Sequence, residues 1–264
     1  MALNHTHQTY PNEVVAREIE DQYNSHLDLM RFCTLDNSLV GVAGDTKKIR
    51  VYSATNATEV LAMGEGNTRN IEVKYSEREH TIKLAQNRFP YYDEEAMRDP
   101  LVVDTGVRHM TTDMFNHTQA DIFAEFNKAT KTVNASAFDF GAFVDAVALL
   151  PGENQEEREV FAFVHPNDKA AIRKALKDDL KYVEAYVRSG YIGTVAGVNL
   201  YVKQDAVEGT ICGGTKKAVT YFNKKGVEVE QERDANIRLN EIYSRKYYLV
   251  ALTDENECFK IVKA

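Results

Sequence analysis

Between Asp99 and Thr130, the apolar residues Val103, Val107, Met110, Met114, Ile122 and Phe126 recur at steps of three, four and eight. Those steps fall on one stripe of an α-helix. Pro100 sits where a first helical turn tolerates it, because an N–H there has no intrahelical acceptor to lose. Only Gly106 weakens the run, by about 1 kcal/mol relative to Ala. About thirty residues at ~1.5 Å each make a rod of roughly 45 Å. Three or four turns are usual in a compact domain, so such a rod suits a subunit stretched out to touch neighbours.

The chain ahead of the rod is extended. Residues 1–11 are polar and lack a period. From Glu13, whose charge suits a helix start, a helix is expected with Val15, Ile19, Tyr23, Leu27 and Met30 along one side. Thr34–Gly44 reads as loop. Lys47–Ser53 and a return strand starting at Ile71 alternate as a long hairpin. Ile82 and Leu84 fall on the opposite parity from Val73 and Tyr75, which predicts a bulge or bend between Ser76 and Thr81. The connection Ala54–Asn70 contains Leu61-Ala62-Met63-Gly64-Glu65-Gly66-Asn67, whose apolar residues have no local core to enter. An isolated hairpin is barely stable in water, so this one needs a neighbour. Phe89-Pro90-Tyr91-Tyr92 and Asp93-Glu94-Glu95 lead into the rod.

After Thr132 an α/β unit is expected. Phe138–Leu150 is a short helix stopped by Pro151-Gly152, and Val160–Val164 is a continuous apolar strand ended by His165-Pro166. Asn167 or Asp168 then caps a second helix through Ile172, Leu176, Leu180, Val183 and Val187. Ser189-Gly190 stops it, and Gly193–Val202 is a loop and a strand. From Lys217 the chain is β-rich. Val219–Phe222 and Val227–Val229 flank an expected turn at Asn223–Gly226; Asn236–Tyr243, Arg245–Leu252 and Phe259–Val262 are three more strands. Tyr247–Leu252 is apolar on both faces and is expected to be central.

Chemistry is hard to find in this chain. Cys33, Cys212 and Cys258 are odd in number and far apart, which fits free thiols in a reducing compartment. A net charge of −8 argues against a binder that works by neutralising phosphates. No apolar run approaches the ~18 residues of a membrane helix, and the N-terminus has no secretory pattern. Gly209–Lys216 has the outer glycines of a phosphate loop, but Thr215 stands where the lysine must follow Gly214, so a glycine-rich turn is the better reading. His109 and His117 lie eight apart, and His5, His7, His26, His80 and His165 are scattered, which is not zinc-ligand spacing. No Gly-X-Ser-X-Gly elbow occurs. Glu228, Glu230, Glu232 and Asp234, with Arg233, Arg238 and Arg245, make a charge-rich patch. It reads either as a solvated sheet face or as salt bridges across a subunit boundary.

Taken in order, an arm, a long hairpin, a rod helix, an α/β unit and a closing β segment resemble the major capsid proteins of tailed bacteriophages, with the HK97-like fold. Phe161-Ala162-Phe163-Val164-His165-Pro166, then a helix, then Gly190 to Val198 with its Gly193-Thr194-Val195-Ala196-Gly197, is similar to that family's axial domain. Val227–Asp234 through Tyr243-Ser244-Arg245-Lys246-Tyr247-Tyr248 is similar to the closing strands of its peripheral domain. Tyr10–Ala16 with Ala62–Gly66 resembles the N-arm and extended loop of one phage subgroup.

The resemblance implies an α+β chain with an N-arm (1–41), an extended β-hairpin loop or E-loop (42–90), and a long spine helix with the first part of the peripheral domain (91–134). An α/β axial domain (135–213) and the second part of the peripheral domain (214–264) follow. It implies a structural protein with no catalytic residue, cofactor or metal. Its implied form is a homo-oligomer of pentamers and hexamers in an icosahedral shell enclosing double-stranded DNA without sequence-specific binding. The implied partners are portal and scaffolding proteins and, optionally, a decoration protein, with no membrane. The implied location is the virion capsid, assembled in the host bacterial cytoplasm. Because the sequence opens on the arm, a separate scaffolding protein or a mature chain numbered from one is expected. Intersubunit contacts are expected at Leu61, Met63, Glu65, Glu230, Asp234 and Arg245. An encapsulin-type shell around a cargo protein shares the architecture and is the alternative; a cytosolic α/β enzyme is remote, since no nucleophile, base or cofactor cradle is found.

Overall fold

In a computed structural model of the chain, the described residues are 28–55, 57–98, 101–151, 158–176 and 193–263. The arm with most of the helix expected from Glu13, and the half of the second α/β helix carrying Leu180, Val183 and Val187, lie outside them.

A 3-10 turn, Asp28–Phe32, leads into the short strand β1 (Thr34–Asp36). β2 (Thr46–Ala54) and β3 (Val73–Thr81) form the hairpin, and β4 (Lys83–Tyr92) follows at once. Next come α1 (Asp93–Arg98) and the rod α2 (Leu101–Phe126). β5 (Thr132–Ala135), α3 (Phe140–Ala148), β6 (Val160–Val164) and α4 (Pro166–Ala175) open the α/β unit. β7 (Thr194–Val195), β8 (Val198–Val202) and β9 (Thr210–Thr215) continue it. β10 (Val219–Asp234), β11 (Leu239–Leu252) and β12 (Cys258–Lys263) close the chain. The strands make a four-stranded sheet β1-β10-β11-β4, a six-stranded sheet β5-β12-β9-β6-β8-β7, and the two-stranded sheet β2-β3.

The rod forms as its stripe demands. It is 26 residues long, roughly 39 Å at ~1.5 Å per residue, and Val107, Met110, Met114, Ile122 and Phe126 are all buried. Its N-terminal half packs on the four-stranded sheet, Val107 and Met110 meeting Val229 and Ile242. Gly106 is required there, because the ring of Phe89 occupies the place of a Cβ. The buried hydroxyls of Thr111 and Thr118 donate to the carbonyls of Val107 and Met114, so burial leaves neither donor unpaired.

The C-terminal half of α2 enters the main core. Phe126 meets Phe161 and Phe163 with ring centroids 5.5 Å away in each case, and Phe32 lies tilted against Phe161 at 4.6 Å. Tyr221, Tyr248 and Val250 bring the four-stranded sheet into the same cluster. β6 explains its unbroken apolar run here. Phe161 and Phe163 face this core, while Val160, Ala162 and Val164 face a second one with Phe143 of α3 and Ile172 of α4. A strand covered on both faces has no polar side to show.

Several local expectations are corrected, and tertiary pairing supplies the reasons. Asn223–Gly226 is not a turn. β10 runs straight through it with register shifts at Asn223/Lys225 and Lys225/Glu228. Its partner β11 is one strand rather than two, since Ser244 is buried and pairs with both Val229 and Asn87. The true reversal lies at 235–238, where Arg238 takes a φ of 55°. The break after the hairpin comes at Ile82, not within Ser76–Thr81. β2 and β3 keep one register throughout, and the Ile82 N–H donates to Asp45 O at 2.7 Å as the chain leaves for β4. Phe89–Tyr92 belongs to β4 rather than to a lead-in segment. The α4 cap is His165, whose Nδ1 accepts the Asn167 N–H, while the Asp168 carboxylate accepts the Gly209 N–H at 2.9 Å. Gly213 and Gly214 lie inside β9, not in a turn. A Cβ at Gly213 would overlap the Phe161 carbonyl, and one at Gly214 the Glu257 carbonyl.

Burial pushes the thiols of Cys33 and Cys212 up to about 12 and that of Cys258 to about 11. The folded chain is therefore expected to leave a thiol reagent unreacted at mildly alkaline pH and to react at all three cysteines in guanidinium. Gly213→Ala is expected to lower stability in urea unfolding by about 3 kcal/mol. An unhindered Gly→Ala in a strand would instead gain ~0.5–1 kcal/mol.

Candidate assembly surface

The hairpin has almost no core of its own. Val51, Tyr52, Val73 and Tyr75 are exposed along its strands and Ile71 just before β3, and at its far end Val60 and Met63 are as accessible as in an open chain. Leu61 is 44% exposed. Exposed apolar surface of this extent is the kind that interaction sites use.

Polar ties nevertheless fix the shape of this apolar arm. Glu59 accepts the N–H and the hydroxyl of Thr68, both at 2.8 Å, and pairs with Arg69 at 3.3 Å. The Thr68 N–H holds the Glu59 carboxyl below its ordinary range. Glu65 accepts the Ala62 N–H at 3.2 Å, and Gly64 takes a φ of 92° that favours glycine. Midway, Tyr52 and Tyr75 stack across the strands at 6.0 Å, and Lys48 and Arg50 flank Glu77 at 3.7 and 3.8 Å. At the root, Lys47 reaches Asp36 at 3.2 Å, Arg78 reaches Glu255 at 2.5 Å, and Ile49 packs beside Phe222 and Leu249. The tip is thus held in shape by hydrogen bonds that leave its apolar side chains outward.

The charged patch is organised within the chain. Arg245 pairs with Glu228 at 3.3 Å and with Glu230, while Lys225 meets Glu228 at 2.6 Å. The hydrogen bond from Lys225 holds the Glu228 carboxyl low. Glu241 accepts from Tyr243 and Arg88, which lowers it likewise. Arg233 and Asn240 both donate to Asp93, Arg238 pairs with Glu94 at 2.6 Å, and Asp234 accepts the Asn236 N–H. The acidic first turn of α1 therefore clamps the β10–β11 reversal.

Of the six residues expected at intersubunit contacts, the structure gathers Leu61, Met63 and Glu65 at the hairpin tip. It joins Glu230 to Arg245 on the four-stranded sheet, and it places Asp234 at that sheet's far end. The residues missed from sequence are Val51, Tyr52, Ile71, Val73 and Tyr75. Apolar side chains on both parities of a hairpin were the signal, and among the described residues no second layer covers them.

Among the described residues, no group of three His, Cys, Asp or Glu side chains could hold a metal ion. No helix among them is long and apolar enough to cross a membrane. Thr210–Thr215 is engaged in ladders with β12 and β6 and the Gly209 N–H donates to Asp168, so this stretch is a sheet strand and not a phosphate cradle. His109 and His117 are exposed on α2, and His117 lies 3.9 Å from Asp121.

No protein-family model matches the sequence. The chain is 25% identical over 267 residues to the protein named major capsid protein of Staphylococcus phage phiMR11, covering 95% of this chain and 92% of that one. Its structure is similar to the mature capsid of bacteriophage PhiM1, with a TM-score of 0.69 and 12% identity over 88% of this chain and 85% of that one. Mycobacterium phage Che8 gives a TM-score of 0.67 and 16% identity over 86% and 90%. A virus-like particle from Pyrococcus furiosus gives 0.65 and 11% over 96% and 100%. This chain has the HK97-like α+β fold of capsid shell proteins, and along nearly its whole length its sequence is similar to a phage major capsid protein.

Proposed function

We propose that this chain is the major capsid protein of a tailed phage, a structural subunit that self-assembles into the icosahedral head shell around double-stranded DNA. The observation that carries this reading is the hairpin of β2 and β3. Its shape is fixed from within, yet among the described residues nothing covers its apolar side chains. Burial on an adjacent copy gains roughly 25 cal/mol per Å² of apolar surface removed from water. A closed shell repeats that contact, and multivalency makes a durable container from modest interfaces.

In this reading residues 1–41 form the N-arm and 42–90 the extended loop. Residues 91–134 form the spine and first peripheral part, 135–213 the axial domain, and 214–264 the remaining peripheral domain. Leu61, Met63 and Glu65 reach onto the neighbouring copy, while Glu230, Asp234 and Arg245 lie at the lateral edge, where charge sets register more than affinity. Pentamers and hexamers build the shell in the host cytoplasm with a portal, a scaffolding protein and optionally a decoration protein. A net charge of −8 keeps the subunit from holding tightly to the genome.

A second reading, an encapsulin-type shell around a protein cargo, is favoured by the likeness to the Pyrococcus furiosus particle. The higher identity to the phiMR11 protein, 25% against 11%, supports the phage reading.

Electron microscopy of particles from producing cells decides between them. Closed icosahedral particles holding nuclease-protected DNA are expected, a protein-filled shell would support the second reading, and a chain that stays monomeric would refute both. The double substitution Leu61→Asp/Met63→Asp is expected to change subunit stability by under about 0.5 kcal/mol while abolishing closed particles in sedimentation velocity. Arg245→Gln is expected to cost at most about 1 kcal/mol in urea unfolding and to reduce particle yield from the same preparation.

A further inference from the structure

The root of the hairpin contains a polar atom without a role in the contacts described so far. His80 lies on β3 opposite Lys47. Its Nε2 is shut off from water and has no hydrogen-bond partner among the described residues. Such a buried orphan is costly unless it serves something else. It sits two residues from Ile82, where the chain turns out of the hairpin into β4, so it occupies the joint between arm and body.

The charged groups around His80 are Glu125 and Lys128 from the C-terminal end of α2, Arg78 on its own strand, and Lys47 across the ladder. The one acid is already engaged. Glu125 accepts from Lys128 Nζ at 2.5 Å and from the Leu252 N–H at 3.3 Å. Arg78 is held by Glu255, and Lys47, the ladder partner of His80, is turned to Asp36. A neutral imidazole fits this setting. A protonated one would meet Lys128 and Arg78, with Glu125 already engaged elsewhere.

We propose that His80 is a proton-operated latch at the root of the hairpin, seating β3 against the body when neutral and releasing it when protonated. Burial, with Lys128 and Arg78 opposing the pull of Glu125, holds the seated imidazole below its ordinary range. A freed imidazole titrates near ~6.5. The seat is therefore fully firm above that value, and it loosens as pH falls through it toward the lower seated value. The latch sets the angle at which the arm reaches a neighbour, and that consequence rests on the shell reading. The latch itself is a property of one chain.

The test uses the full chain with nitroxide labels at Met63→Cys on the tip and Thr112→Cys on the rod, diluted with unlabelled chain. The three native cysteines are buried and stay unlabelled. Pulsed electron–electron distances are expected to be narrow at about pH 7.5 and to lose their dominant peak at about pH 5.5, within the range where histidine switches. His80→Gln, which cannot protonate, keeps the narrow distribution at both values. The same broadening in His80→Gln, or none in the parent chain, overturns the proposal and leaves particle formation untouched. Where His80→Gln fails to fold, the imidazole resonance of the parent chain decides. Titration below the free value supports the latch, and titration at the free value overturns it.

Discussion

Everything else in this molecule is arranged around the burial of Phe126, Phe161, Phe163 and Phe32 in one ring cluster. Three separate parts of the chain meet there: the C-terminal half of α2, the inner face of β6, and the 3-10 turn that ends the arm. Tyr221 and Tyr248, stacked at 5.6 Å, bring in the long β10–β11 ribbon. Aromatic rings bury large areas in fixed geometry, so this cluster sets the rod against both sheets. The N-terminal half of the rod then has only one place to lie, on β4, β10 and β11, and Gly106 admits Phe89 to that seat.

A body fixed in this way can carry an arm that is not folded onto it. Most chains hide residues such as Val73, Tyr75 and Met63, because water around them costs free energy. Here the strand ladder, the Glu59 and Glu65 ties and the root ion pairs engage backbone and polar groups locally, while the apolar side chains stay exposed. Most polar groups of the hairpin are completed within the chain, and its apolar groups stay exposed. A shell subunit needs this asymmetry, since it must stay soluble before assembly and adhere during it.

The charged patch shows why residue type alone misleads about partners. Glu228, Glu230 and Arg245 read equally well from sequence as a solvated face or a subunit boundary. In the fold their partners are on the neighbouring strand, because β10 and β11 run antiparallel with Glu228 opposite Arg245. Exposed pairs of this kind contribute little to stability.

Sequence alone determined the rod, the doubly apolar β6, the central β11 and the coverless hairpin, because each depends on the spacing of apolar side chains within one segment. Periodicity is local and survives without knowledge of the partner. Tertiary structure decided what long-range pairing controls. It made β10 one strand carried through Asn223–Gly226 by bulges, joined the segments around Ser244, and moved the bend to Ile82. It buried Gly213 and Gly214 in a sheet and set His80 against the end of α2. Those outcomes turn on which backbone lies alongside, and a linear chain does not carry that information in any one stretch.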